Sequence, residues 1–359
     1  MLKNLLYPLV EYSKIFNLFQ YVSFRAAYAA VTSLLISFLL GPWVIRKLTQ
    51  LKLGQEIRND GPESHLSKAG TPTMGGTLII LSFVISVFVW QEINLFYTWI
   101  IFLTALGLGI LGFMDDFLKI TRKNSDGLRA SVKLSGQVIV SFFVMLLIYY
   151  FRNDQTTLLY VPFVKTAVTD LGVLYIPFGM LLIIGMSNAV NLTDGLDGLA
   201  SGLTIIALIA LSFLVYLSGH SEFAKYLFIP FLPGTSELTI STTALLGAVV
   251  GFLWFNAHPA EVMMGDTGSL TLGGLLAVFS ILIKKEILLL IIGGVFVMET
   301  VSVIIQVLYY KRTGRRVFKM APIHHHFELS GWAESKVVTR FWILGGMFAI
   351  LGLSTLKIQ

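Results

Sequence analysis

The chain has 359 residues, of which 55% are hydrophobic and only 13% carry a charge. Soluble globular domains have about 25% charged residues, so this composition excludes a soluble or a disordered protein. Cysteine is absent, which excludes disulfides and cysteine-ligated metal sites. The net charge of +6 comes mainly from basic residues in short loops between apolar runs. It therefore argues against nucleic acid as a partner and for anionic lipid headgroups or phosphorylated substrates.

The apolar residues form ten runs that are long enough to cross a membrane as helices. These spans are predicted at 24–45, 74–90, 95–114, 134–151, 171–190, 199–218, 242–256, 268–283, 287–310 and 340–356. Residues 1–20 mix apolar side chains with charged ones and are predicted to lie at the membrane interface. No polar stretch is long enough for a separate soluble domain. The prediction is therefore an all-α polytopic membrane protein with a single domain over residues 1–359.

The distribution of basic residues orients the predicted bundle. If ten spans alternate in direction, five connections share one face and hold 17 of the 26 Lys and Arg residues. These connections are 46–73, 115–133, 191–198, 257–267 and 311–340. By the positive-inside rule this face is cytoplasmic, which predicts that both termini are periplasmic.

Acidic residues and histidines collect on the same predicted face. Asp115 and Asp116 close the third predicted span. Adjacent carboxylates on a helix point about 100° apart, so both could bind one metal only if the helix end unwinds. One carboxylate on a metal or substrate, with the other supporting it, is the favoured interpretation. A simple marker of the membrane boundary is the alternative.

Two further acidic segments lie in the next connections of that face. Asn188, Asn191, Asp194 and Asp197 recur every three residues, which places them near one face of a helix if the segment is helical. Asp266 precedes an apolar run, so it is either a helix N-cap or a magnesium ligand at a helix N-terminus that also attracts phosphate.

The histidine triplet and the glycine patterns allow several interpretations. His324, His325 and His326 are consecutive and diverge in direction, so they are predicted to contact phosphate or substrate, or to act in acid–base chemistry, rather than to chelate one ion. The pattern Gly107-x-Gly109-x-x-Gly112 lies inside a span and is predicted to serve close helix packing, as is Gly247-x-x-x-Gly251. Glu299 lies within the ninth span, where an acid is costly and marks a buried polar pair or a site wall.

Carboxylates, lysines and glycine-rich turns at one membrane surface suit metal-dependent phosphoryl transfer. A metal ion can bridge pyrophosphate oxygens, and lysine can neutralise charge that develops on a leaving group. The residues alone therefore indicate metal-dependent phosphoryl transfer, but they do not identify the substrate.

Eight sequence segments resemble those of a known family. In chain order they are RNDGPESH, TPTMGG, GFMDDF, NAVNLTDGLDGLA, GFLWFN, MGDTGSL, GGVFVMETVSVIIQV and MAPIHHHFEL. They are similar to the phospho-N-acetylmuramoyl-pentapeptide transferase family, within the superfamily of polyprenyl-phosphate N-acetylhexosamine-1-phosphate transferases. The resemblance implies a ten-helix homodimer in the bacterial cytoplasmic (inner) membrane, with its active site facing the cytoplasm. It also implies the first membrane step of peptidoglycan synthesis: UDP-N-acetylmuramoyl-pentapeptide and undecaprenyl phosphate give lipid I and UMP, with Mg²⁺.

The resemblance implies roles for residues that match the family motifs. Asp266 would bind magnesium, Asp115 and Asp116 would act at the lipid phosphate, and His324 would join them as a catalytic residue. One of the two adjacent aspartates would deprotonate undecaprenyl phosphate; alternatively, an aspartate would attack first and form a covalent intermediate. The substrate-binding residues would be Lys68, Thr73, Lys119, Lys133, Asn188, Asn191, Asp194, Asp197, Asn256, Met263, Gln306, His325 and His326.

One departure from the family pattern concerns the nucleotide base. Many relatives carry Phe three residues before the motif aspartate, where it stacks on uracil, and this chain has Met263. A thioether can also pack on a base face, so uridine binding through Met263 is expected to differ in strength.

Two other functions are compatible with parts of the sequence. A sibling transferase would move N-acetylglucosamine-1-phosphate onto a polyprenyl phosphate, and the donor preference distinguishes it. A transporter would also place polar residues among its helices, but transport sites usually lie near the midplane of the membrane and these acids lie at one surface.

Overall fold

The computed structural model describes residues 2–50, 70–122, 127–151, 153 and 155–356. Their α-helices are α1 (Leu2–Leu6), α2 (Val22–Gln50), α3 (Gly76–Trp90), α4 (Phe96–Arg122), α5 (Ala130–Tyr150), α6 (Tyr175–Thr193), α7 (Leu199–Ser218), α8 (Ser221–Leu227), α9 (Leu238–Asn256), α10 (Gly265–Leu282), α11 (Glu286–Ile292), α12 (Gly294–Thr313), α13 (Ile323–Glu328) and α14 (Glu334–Ser354). Strands β1 (Leu158–Leu159) and β2 (Thr169–Asp170) pair in antiparallel fashion. Short 3₁₀ helices occupy Tyr7–Glu11, Lys14–Gln20, Gly172–Leu174 and Thr235–Glu237.

The predicted membrane-spanning architecture is confirmed. Nine helices within the described residues are long and apolar enough to cross a membrane, and the remaining predicted span is the shorter helix α3, with 15 residues. Helix α10 is buried along almost its whole length and packs against α3, α4 and α6, so it forms the centre of the bundle. The orientation of the termini stays a prediction.

Two helices differ from the spans predicted for them. Helix α4 continues as a regular helix to Arg122 instead of ending at residue 114, so Asp115 and Asp116 lie inside it and the helix does not unwind there. Lys119 and Arg122 in its last turn favour this extension because cations stabilise the negative end of a helix. The predicted span 287–310 is divided at Gly293 into α11 and α12, since glycine is a poor helix former.

Glycines bring the helices around α10 into backbone contact. A Cβ built on Gly76 would lie 2.1 Å from the backbone nitrogen of Gly268, and one on Gly112 would lie 2.3 Å from the carbonyl oxygen of Asp266. A Cβ on Gly107 would lie 2.9 Å from the Val140 side chain on α5. The prediction that these glycines serve helix packing is therefore confirmed, and it explains how α3 and α4 reach the first turn of α10.

The second glycine pattern serves the contact between α2 and α9. A Cβ on Gly247 would lie 2.1 Å from the carbonyl oxygen of Ala30, and one on Gly251 would lie 2.4 Å from the Cβ of Ser37. The packing role predicted for this pattern is also confirmed.

A buried ion pair joins the N-terminal end of α2 to the N-terminal end of α9. The Arg25 guanidinium is fully buried and donates to Oε2 of Glu237 at 2.8 Å, with a second contact to Oε1. Replacing Glu237 with Gln is expected to lower the free energy of unfolding by about 3–5 kcal/mol, because it strands a buried cation. Thermal unfolding in detergent measures this loss, and turnover at the far end of the bundle should not change. The exposed acid Glu222 on α8 is the control, since Glu222→Gln should leave the melting temperature unchanged.

Candidate active site

Three buried carboxylates from α4 and α10 converge at one end of the bundle. Asp115 and Asp116 occupy consecutive positions on α4, and Asp266 lies in the first turn of α10. Each can direct one oxygen so that the three oxygens lie within 4.8 Å of one another. We call these three residues, Asp115, Asp116 and Asp266, the acid cluster. A regular helix thus presents both adjacent aspartates to the same centre, because the first turn of α10 packs directly against this part of α4.

Asp116, on α4, caps the N-terminus of α10. One of its oxygens accepts from the backbone N–H of Asp266 at 3.0 Å, and the other accepts from the N–H and the hydroxyl of Thr267 at 2.9 and 2.7 Å. Free N–H groups of a first helical turn need such acceptors. The N-cap position itself is held by Met264 without a side-chain bond. The alternative that Asp266 is an N-cap is therefore wrong, because Asp116 does that work from a neighbouring helix.

Gly265 allows this contact between the helices. Its φ of +72° lies in the left-handed region, which a side chain rarely adopts. A Cβ there would lie 2.6 Å from Oδ2 of Asp116 and 3.0 Å from the hydroxyl oxygen of Thr73. A residue larger than glycine would separate α10 from Asp116, and the same geometry places Thr73 at the edge of the acid cluster.

The carboxylate of Asp266 contacts two lysines and an asparagine. Its Oδ2 lies 2.5 Å from Nζ of Lys133 on α5 and 3.0 Å from Nζ of Lys119 on α4. Its Oδ1 accepts from the side-chain amide of Asn191 on α6 at 2.6 Å. Four helices therefore bring together residues that the sequence placed in three separate connections.

Asp115 has fewer partners than its neighbour. Its Oδ1 accepts from the backbone N–H of Leu128 at 2.8 Å, and its Oδ2 faces the ammonium of Lys119 at 2.5 Å. The carboxyl group of Asp266 also lies beside Asp115 and interacts with it. Asp115 therefore has one oxygen that is held by side chains alone, whereas both oxygens of Asp116 are held by the first turn of α10.

The acid cluster fits a magnesium ion. Carboxylate oxygens are the hard donors that Mg²⁺ prefers. Three carboxyl groups converge here against the two ammonium groups of Lys119 and Lys133, so the donor set suits a hard cation.

The end of α6 supports the acid cluster from one side. Asn188 donates to Oε1 of Gln137 at 3.0 Å, so it joins α6 to α5. Asp194 follows the last residue of α6. Burial, together with the nearby charges of Asp266 and Asp116, raises the pKa of Asp194 to about 8.

Asp197 and Asn256 belong to a neighbouring polar group. Oδ2 of Asp197 lies 3.0 Å from Nδ1 of His258 and accepts from the N–H of Ala260 at 3.1 Å. Asn256 accepts from the Ser201 hydroxyl at 2.6 Å and donates to the carbonyl of Val262 at 3.0 Å. These contacts fix the turns that precede α7 and α10, so the two residues shape the surface beside the acid cluster.

Met263 lies in a segment that pairs with the chain before α3. Its N–H donates to the carbonyl of Pro72 at 2.8 Å, and its carbonyl accepts from Gly75 at 2.9 Å. Its side chain is buried in this structure. Lys68, which was predicted to bind substrate, lies outside the described residues.

The three histidines have separate partners. Nδ1 of His324 lies 3.1 Å from Oε2 of Glu299, and Nδ1 of His325 lies 2.8 Å from Oε2 of Glu328. His326 accepts at Nδ1 from the backbone N–H of Lys319 at 3.1 Å. The prediction that they diverge and do not chelate one ion together is consistent with these contacts.

Gln306 holds the segment that leads to the histidines. Its Oε1 accepts from the N–H groups of Val317 and Phe318 at 3.0 Å each, and its amide donates back to the carbonyl of Phe318 at 3.2 Å. All these contacts are internal to the chain, so Gln306 positions the histidine segment here.

Several residues of the site escaped prediction. Thr267 holds Asp116, Ser269 accepts from Asn191 at 2.8 Å, and Gln137 holds Asn188. His258 and Glu334, which flank Asp197, also belong to this group. The hydroxyl residues directly after Asp266 were a usable signal, since such residues are frequent where a helix begins. The others are joined to the site only by tertiary packing.

Comparison with known proteins identifies the family. Residues 98–284 match the model of glycosyl transferase family 4, and residues 68–80 match signature 1 of phospho-N-acetylmuramoyl-pentapeptide-transferase. A protein with that name from Syntrophus aciditrophicus is 51% identical over 360 residues, which cover 100% of both chains. Another from Borreliella burgdorferi is 53% identical over 344 residues, which cover 96% of this chain and 98% of the relative. The chain belongs to the phospho-N-acetylmuramoyl-pentapeptide transferase family.

Membership decides between the functions left open by the sequence. The transferase is a multi-pass membrane enzyme of peptidoglycan synthesis, and the muramoyl-pentapeptide branch is favoured over the sibling N-acetylglucosamine-1-phosphate transferases. A phosphosugar transferase of this kind uses a nucleotide-sugar donor and a membrane lipid acceptor, so the transporter alternative is dropped.

Proposed function

We propose that the transferase moves phospho-N-acetylmuramoyl-pentapeptide from UDP to undecaprenyl phosphate, giving lipid I and UMP. A phosphate oxygen of the lipid attacks the β-phosphorus of the donor and forms a new P–O bond. The bond between the β-phosphorus and the bridging oxygen breaks, and that oxygen leaves with UMP. The observation that carries this proposal is the acid cluster with two lysines at one end of the bundle, in a chain of this family.

Magnesium is proposed as the cofactor, with Asp266 as its principal ligand. When bound, Mg²⁺ would supply positive charge to the pyrophosphate oxygens of the donor. Lys119 and Lys133 both lie within 3.0 Å of Asp266, so they place two fixed positive charges where negative charge grows on the departing UMP. Preorganised charges of this kind lower the transition-state energy because they need no rearrangement during the reaction.

Asp115 is proposed as the base that acts on the lipid phosphate. Asp116 has both oxygens engaged by the first turn of α10 and would lose three hydrogen bonds if it turned to a substrate. Asp115 has an oxygen whose close partners are side chains only, the ammonium of Lys119 and the carboxyl group of Asp266. A proton transfer through Asp115 therefore disturbs the fold least.

The surroundings of the acid cluster are proposed to bind the rest of the donor. Asn191 contacts Asp266 directly, and Thr73 lies beside Gly265, so both border the pyrophosphate position. Met263 and the turns held by Asp197 and Asn256 are proposed to receive the uridine, and the histidine segment to receive the sugar side. The active site is proposed to face the cytoplasm, and the enzyme is proposed to be a homodimer.

A donor-competition assay tests the proposed substrate. Purified enzyme with undecaprenyl phosphate and Mg²⁺ is expected to release UMP from UDP-N-acetylmuramoyl-pentapeptide at least about tenfold faster than from UDP-N-acetylglucosamine, because the peptide adds binding contacts. Enzyme without the lipid acceptor is the control and should release no UMP beyond one turnover. Equal or inverted preference would replace the proposed donor with that of the sibling transferases.

A further inference from the structure

Glu299 is a carboxylate buried inside a membrane-spanning helix. It lies on α12, is fully buried, and contacts the equally buried His324 on α13, with 3.1 Å between Oε2 and Nδ1. Within the described residues this is the one polar contact that either side chain makes. An acid in such a place is expensive and persists where a partner or a function requires it.

The other ring nitrogen of His324 points toward the turn after α6. A Cβ built on Gly195 would lie 2.4 Å from Nε2 of His324, so the imidazole fits because position 195 is glycine. Gly195 directly follows Asp194, whose pKa is raised by burial and by the charges of Asp266 and Asp116. His324 therefore connects Glu299, inside the bundle, with the turn that borders the acid cluster.

We infer that Glu299 is the positioning residue for His324 in phosphosugar transfer. The carboxyl group of Glu299 contacts the Nδ1 side of the ring, which leaves the Nε2 side toward the turn after α6. A partner on one ring nitrogen sets the role and direction of the other. Glu299 thus holds the ring with Nε2 against Gly195, in the turn that borders the acid cluster, and the inference rests on the proposed function.

The test compares two substitutions of Glu299 that separate charge from shape. Glu299→Gln keeps the size of the side chain and removes its charge, whereas Glu299→Asp keeps the charge and leaves a small cavity. A positioning role predicts that Asp retains more kcat than Gln although it lowers the melting temperature more. A purely structural role predicts the opposite order of activity, since the better-packed Gln would then be the milder change.

A double-mutant cycle shows whether Glu299 acts through His324. Glu299→Gln is expected to lower kcat/KM for the UDP-linked donor by about 10- to 100-fold, the size of effect seen when the partner that orients a functional histidine is lost. On a His324→Gln background the same substitution should have no further effect. Ser302→Ala, one turn along α12, is the matched control and should leave turnover unchanged.

Two outcomes would overturn the inference. Losses that add in the double variant would mean that Glu299 acts independently of His324. Normal turnover of Glu299→Gln, with only a lowered melting temperature, would reduce the pair to a packing feature. Failure of the proposed function would look different, since unaltered enzyme would then release no UMP from the muramoyl-pentapeptide donor.

Discussion

Asp266→Asn is expected to nearly abolish UMP release, with a fall in kcat of about 100- to 1,000-fold, the effect of losing a single group that stabilises transition-state charge. The amide would remove a charged ligand from the proposed magnesium site. It would also leave Lys119 and Lys133 without the carboxylate that they contact at 3.0 and 2.5 Å. The measurement is UMP release over a magnesium titration, since weakened metal binding predicts partial recovery at high magnesium.

The control for Asp266→Asn must separate lost chemistry from lost folding. Glu237→Gln serves this purpose, because it is expected to lower stability at the far end of the bundle and to keep turnover. Asp266→Asn protein that melts near the unaltered enzyme but does not turn over supports the assignment. Near-normal turnover at saturating magnesium would show that Asp266 is not the essential ligand.

Asp266 illustrates how far local sequence patterns reach. Its position before an apolar run predicted a helix start, and α10 does begin at Gly265. The sequence could not distinguish a cap from a ligand, because the acceptor that caps α10 comes from Asp116, 150 residues earlier in the chain. Periodicity reports the local helix, whereas the partner of a helix end depends on tertiary packing.

The spans themselves were predictable because membrane helices need long apolar runs. The ends of the spans were less predictable. Helix α4 continues through two buried aspartates, although local hydropathy predicts that the span ends at such polar residues. These acids stay helical because α10 supplies backbone donors to one and Lys119 pairs with the other. Glycine gave a usable signal here, since Gly112 lies one turn before the aspartates and touches the α10 backbone.

The step of three between Asn188 and Asp197 was a partial guide to the site. Helix α6 ends at Thr193, so Asn191 remains on the helical face and reaches Asp266. Asp197 lies beyond the turn and joins His258 instead. The spacing would have kept these residues on one face only if the helix had continued.

Replacing Asp115 with asparagine and replacing Asp116 with asparagine are expected to have different effects on activity and stability. Asp115→Asn should lower kcat by about 10²–10⁴-fold, the range for a lost general base, and should leave the melting temperature nearly unchanged. Asp116→Asn should lower both, because an amide cannot accept from all three donors of Asp266 and Thr267. Each buried donor left without an acceptor costs about 1–3 kcal/mol. Equal destabilisation by the two substitutions would contradict this division of roles.

Single-turnover kinetics without the lipid acceptor decides whether an aspartate is a base or a nucleophile. Direct attack by the lipid phosphate predicts no UMP release and no labelled protein, because the attacking phosphate oxygen is then absent. A covalent route predicts one equivalent of UMP and a phosphosugar bound to the chain, which Asp115→Asn would prevent. Lys119 lies 2.5 Å from Oδ2 of Asp115, so either role requires this ammonium to move away from the carboxylate. Labelled protein in the absence of acceptor would show the covalent route, and unlabelled protein without UMP release would support direct attack by the lipid phosphate.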